Sequence, residues 1–181
     1  VPPPKNTIFD GGVVWTTGGG SSSTWKIPSQ TPPIFYCANY DLCTPWYAFD
    51  GTASDLIGKS IDFAGPGYGG GPWTFTIDLG ESAVFTHWRV AGHQRYAMGA
   101  VELRYQRSTG QMVTVPGSNF TWDRLMGGLQ SAAFEQPVTA QVWQVYIKTH
   151  SNPDMQSRYQ LYLSEVQFGV LPTLPPSPSP P

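Results

Sequence analysis

Trp73-Thr-Phe-Thr-Ile-Asp-Leu79 alternates without a break, with Trp73, Phe75, Ile77 and Leu79 on one side and Thr74, Thr76 and Asp78 on the other. Successive side chains of a strand point to opposite faces, so this period of two marks a strand with one dry and one wet face. The pattern recurs along the chain. Gly80-Glu-Ser82 predicts a turn, and Val84 to Val90 the next strand. Val101-Glu-Leu-Arg-Tyr105 alternates again, and Ser108-Thr-Gly110 predicts a hairpin into Met112 to Val115. Gln141 to Lys148 puts Trp143, Val145 and Ile147 on one face. Tyr159 to Phe168 closes the series, its alternation slipping near Leu163–Ser164 as at a β-bulge. No segment reads as an amphipathic helix longer than one or two turns. Short strands joined by Gly- and Pro-rich loops predict an all-β sandwich or jelly roll.

The bulk properties fit one such domain. A chain of 181 residues buries roughly 70% of its unfolded surface, enough for a core without a metal or disulfide framework. Charged residues make up 12% and aromatic residues 14% of the chain, with a net charge of −2. No basic stripe exists, so no nucleic-acid partner is expected. No apolar run approaches the roughly 18 residues of a spanning helix, so no membrane insertion is expected. Low charge with many aromatics suits a rigid extracellular β protein. In that setting Cys37 and Cys43 are expected to close a small disulfide loop, the alternative being two buried thiols. Asn119-Phe-Thr121 is an N-glycosylation sequon at Asn119. Val1 is not a start residue, and the chain is expected to be a mature or excised piece.

Prolines gather at the two ends, in a Pro-rich lead over residues 1–5 and a Pro/Ser-rich tail or linker over residues 171–181. The core domain is expected over residues 6–170. Proline lacks an N–H and fixes φ, so the tail cannot join a helix or a central strand. It is expected to extend as polyproline II, rising about 3.1 Å per residue.

Five segments in order resemble a known family. Trp46-Tyr-Ala-Phe-Asp-Gly51, Trp73-Thr-Phe-Thr-Ile-Asp-Leu-Gly80, Trp88-Arg-Val-Ala-Gly92, Gln141 to Lys148 and Leu163-Ser-Glu-Val-Gln-Phe168 together resemble the discoidin-like domain, also called coagulation-factor C-type or galactose-binding-like. The tail is similar to hydroxyproline-rich glycoproteins of plant and green-algal walls. That second resemblance implies hydroxylation and O-glycosylation across Pro175, Pro176, Ser177, Pro178, Ser179, Pro180 and Pro181.

The discoidin-like resemblance implies two sites. A structural calcium would sit where the Asp-Gly loop meets the closing strand, with Asp50, Asp55 and Glu165 as oxygen ligands. The family often has Thr where this chain has Asp55, and Asp50 could instead make only an Asx-turn with Gly51. A sugar would bind through loops at one end of the sandwich. His93, Arg95 and Arg124 would supply donors, and Tyr96 or Trp122 a face for stacking. No nucleophile, phosphate-loop or metal-hydrolase motif is present, so no enzyme is expected. Two functions remain. The first expectation is a non-catalytic structural or adhesive module of an extracellular glycoprotein, with the tail packing on a neighbouring copy in a filament. The alternative is a lectin-like module that binds glycans.

Overall fold

The computed structural model describes residues 7–18, 24–31, 48–51, 53, 61–62, 72–94, 97–151 and 161–172. Its strands are β1 (Thr7–Asp10), β2 (Val13–Thr16), β3 (Lys26–Thr31), β4 (Ile61–Asp62), β5 (Trp73–Gly92), β6 (Ala100–Gln106), β7 (Met112–Thr114), β8 (Phe120–Thr121), β9 (Gln130–Ile147) and β10 (Tyr162–Val170). They form an antiparallel sheet in the order β1-β2-β10-β5-β9-β6-β7, with β3 on β5, β4 on β10 and β8 on β6.

Two long strands, β5 and β9, belong to both layers of the sandwich. The first half of β5 pairs with β3 and with the second half of β9. Its second half pairs with β10 and with the first half of β9. The expected turn at Gly80-Glu-Ser82 is therefore a bend in one continuous strand, a correction to the sequence reading. The register with β9 shifts between Asp78 and Ala83, and Gly80 has a φ of 80°. Asp78 Oδ1 accepts hydrogen bonds from Gly80 N at 2.8 Å and Gln141 Nε2 at 2.9 Å. Gly80 can adopt that left-handed φ without strain, and the partner strand bends alongside, so the chain folds over instead of reversing.

The alternating residues do face inward. Trp73, Phe75, Ile77, Leu79, Trp143, Val145 and Ile147 are all buried in one core. Trp143 joins the two layers, its ring lying 5.5 Å from Phe85, 5.4 Å from Phe168 and 6.3 Å from Phe134. The expected bulge in the last strand is present as a register shift between Leu163 and Glu165. The short strands β3, β4 and β8 were not anticipated, and neither were two larger elements. One is the β1–β2 hairpin through Gly11 and Gly12, whose φ values of 58° and 78° suit a two-residue primed turn. The other is the first half of β9, whose residues 130–140 include Pro137 and an unpaired excursion near Phe134–Pro137.

Gly117 marks a position where the backbone tolerates no side chain. Its φ is 83°, and a Cβ there would lie 2.7 Å from Ala133 O and 3.0 Å from Glu135 N. Glu135 N also donates to Pro116 O at 3.0 Å, so neither backbone segment can withdraw freely. Gly117→Ala is expected to destabilise the domain by about 2 kcal/mol, read as a lowered urea midpoint.

Candidate functional site

Three connections meet at the end of the sandwich away from the bend. β5 ends at Gly92, opposite Leu163 of β10, and β6 begins at Ala100, opposite Thr121. β9 begins at Gln130 opposite Val90 and ends at Ile147 opposite Trp73. The segments after β5, before β9 and after β9 are therefore neighbours. Backbone bonds tie them together: Gly99 N to Thr149 O at 2.7 Å, Trp122 N to Gly99 O at 3.0 Å and Ser151 N to Ala97 O at 3.0 Å. Thr149 Oγ1 also accepts from Ala100 N at 2.8 Å.

The segment before β9 is braced from within. Asp123 Oδ1 accepts from Leu125 N at 2.8 Å, and Asp123 O from Gly127 N at 3.1 Å. Gln130 clamps the same residue from the strand, its Oε1 accepting from Asp123 N and its Nε2 donating to Asp123 O, both at 2.7 Å. This fixed turn holds Leu125 and Met126 out in solvent, 81% and 76% exposed. Gln94 lies against it, since a Cβ on Gly127 would come within 2.9 Å of Gln94 Nε2. The turn thus presents two apolar side chains to solvent beside a polar one.

Of the residues expected to bind sugar, His93 and Arg124 are at this end and half-buried, the His93 ring lying 5.8 Å from Tyr162. Arg95 and Tyr96 lie outside the described residues. Trp122 requires a correction. It is 1% exposed, and its indole N–H donates to Gly128 O at 3.2 Å. It props the turn from inside and offers no face to a ligand. Gln94, Leu125 and Met126 were not anticipated. The Gly127-Gly128 pair after Leu125-Met126 was the available sign of a tight, exposed tip.

The expected cation ligands converge in part. Glu165, on β10, is 0% exposed, and both its oxygens accept from Gly51 N at 3.2 Å. Gln167 Nε2 donates to Glu165 Oε1 at 3.0 Å. Arg89 Nε holds Gln167 Oε1 at 2.7 Å, and Arg89 Nη1 reaches Asp10 Oδ2 at 2.6 Å. Burial pushes the Glu165 carboxyl up to about 9, and the Asp50 charge adds to that rise. The hydrogen bonds from Gln167 and Gly51, and the Arg89 charge, offset it only in part. The buried Glu165 carboxyl thus lies within electrostatic reach of Asp50, which is half-exposed. Asp55 lies outside the described residues, and among those described no group of three such side chains forms.

Asn119 is exposed, as an acceptor of N-glycan must be. Cys37, Cys43 and the tail positions from Pro175 to Pro181 lie outside the described residues. Among the described residues, no helix is long and apolar enough to cross a membrane.

No protein-family model matches the sequence. No curated protein matches it either. Solved structures do resemble the fold. A family 32 carbohydrate-binding module of EndoD from Streptococcus pneumoniae is 11% identical, with a TM-score of 0.59 over 80% of this chain and 94% of that one. The family 32 module of NanJ from Clostridium perfringens, solved in complex with galactose, is 12% identical, with a TM-score of 0.60 over 86% and 99%. Another family 32 module from C. perfringens, in complex with GalNAc-β-1,3-galactose, is 14% identical, with a TM-score of 0.61 over 80% and 94%. The likeness is one of fold: this chain is a discoidin-like, galactose-binding-like β-sandwich.

Proposed function

We propose that the domain is an extracellular, non-catalytic carbohydrate-binding module that takes its glycan at the tied loop end. The observation that carries this reading is the braced turn at that end. It sets Leu125 and Met126 beside Gln94, with Arg124 in the same turn. A pyranose ring has an apolar C–H face and a rim of hydroxyls, so it matches an apolar tip flanked by amide and guanidinium donors. Solved domains of the same fold were captured with galactose and with GalNAc-β-1,3-galactose, which favours glycan binding over a purely structural role. Calcium is proposed at Asp50 and Glu165, where its role would be to fix the Asp-Gly loop on β10.

Titration calorimetry of calcium-loaded protein against galactose and GalNAc-β-1,3-galactose should show saturable binding. Arg124→Ala should weaken it about tenfold, the worth of one hydrogen bond to a charged group, without changing the melting temperature. Absence of binding to both probes and to a wider array of glycans would refute the reading.

One feature favours the structural alternative. Edge strand β1 pairs only with β2 among the described residues and leaves Phe9 70% exposed, and unpaired apolar edges invite other chains. Sedimentation that rises with concentration, without glycan binding, would favour assembly.

A further inference from the structure

The bend end of the sandwich, opposite the tied loops, carries a groove of its own. Two hollows adjoin there, sharing Thr139, with volumes of about 370 and 580 Å³. The smaller is walled by Tyr105, Pro116 and Pro137, and the larger by Asp78, Arg107 and Gln141. The excursion of β9 supplies Glu135, Gln136 and Pro137 to the wall of the smaller hollow. Each hollow falls within the roughly 300–1,000 Å³ range of small-ligand sites.

The walls are pinned without a ligand. Pro116 O accepts from Glu135 N at 3.0 Å, which ties the loop after β7 to the excursion. Gly110 N donates to Arg107 O and Arg107 N to Gln111 O, each at 2.9 Å, which closes the β6–β7 turn. Asp78 is fixed by Gly80 N and Gln141 Nε2 through one of its two oxygens. The Tyr105 ring is half-exposed and backed by Trp143 at 6.3 Å. Among the described residues, the Arg107 guanidinium has no ion-pair partner, and it is exposed.

We propose that this groove is a second glycan site, separate from the loop end, that takes a neutral oligosaccharide. Its surface combines a ring face and two prolines with planar groups that engage vicinal hydroxyls in pairs: the Asp78 and Glu135 carboxylates, the Gln141 amide and the Arg107 guanidinium. Two carboxylates against one guanidinium disfavour uronic or other acidic sugars. The two hollows in series suit a ligand of more than one ring. Sites at opposite ends would let a single domain bridge two glycan chains, and avidity would follow without any contact between protein copies.

Amide chemical-shift mapping on the full chain tests the groove. The probes are neutral tetrasaccharides of β-1,4-linked glucose, galactose and N-acetylglucosamine. At least one is expected to move amides of 105–110 and 135–142, and Arg107→Ala and Glu135→Ala, both exposed, should weaken that response at least tenfold while leaving any loop-end response intact. Shifts confined to residues 93–99 and 122–129 would overturn the groove and leave the loop-end reading standing. Shifts confined to the groove would support it and count against the loop end. Shifts at neither end with all three probes would overturn both, and groove shifts insensitive to both variants would overturn the groove.

Discussion

Trp143→Ala is expected to remove about 4 kcal/mol of stability, the size usual for emptying a buried tryptophan site. Trp143 is fully buried and stands where the two layers meet. Its ring contacts Phe85 and Phe168 from the other layer, Phe134 from the excursion, and Tyr105 beside it. Its indole N–H donates to Ala140 O at 3.1 Å, next to the bend of β9. The truncation therefore opens a cavity between layers and frees a carbonyl at the fold line. Small domains hold only about 5–15 kcal/mol in total, so the loss should lower the melting temperature by roughly 10 °C. Urea unfolding followed by fluorescence reads it directly. Thr139→Ala, on the exposed side of the same strand, should change stability by no more than about 0.5 kcal/mol. A shift below about 1 kcal/mol for Trp143→Ala would mean that the layers do not depend on this ring.

The second large effect is a pH dependence that calcium should reverse. In chelator, the folded Glu165 carboxyl holds its proton up to about 9, whereas an unfolded carboxyl releases it near 4.5. Between those values the unfolded state binds fewer protons, so stability is full below about 4.5 and falls as pH rises towards 9. The loss across that window is on the order of a few kcal/mol. Calcium would bind the ionised carboxylate, displacing the proton, so its stabilising effect should grow with pH. Melting curves at about pH 5, 7 and 8.5, with calcium and with chelator, separate the two contributions. Glu165→Gln should flatten the chelator profile and abolish the calcium response. A calcium response that survives in that variant would place the ion elsewhere, and a flat wild-type profile in chelator would show that Glu165 ionises freely.

The fold class was legible in sequence because burial in a sheet has a period of two, and Trp73, Phe75, Ile77 and Leu79 all face the core they announce. The slip at Leu163–Ser164 was legible for the same reason, since a bulge breaks that period. Asp50 and Glu165 could be paired only through the resemblance, because 115 positions separate them and local pattern carries no information over that distance. Tertiary structure decided the rest. Gly80-Glu-Ser82 has the composition of a turn, and only the parallel bend of β9 makes it a corner. Residues 130–140 are mostly small or polar and are interrupted by Pro137, so their strand state comes from pairing with Ala83 to Val90 and not from their own preferences. Trp122 and Leu125 show the same limit in reverse. By residue type either could have been the exposed apolar group, but the indole is buried, with its N–H donating to Gly128 O, while the Asp123–Gln130 clamp holds Leu125 in water. Periodicity can identify a strand and its dry face; which loops meet, and which side chains they leave exposed, depends on hydrogen bonds between segments far apart in the chain.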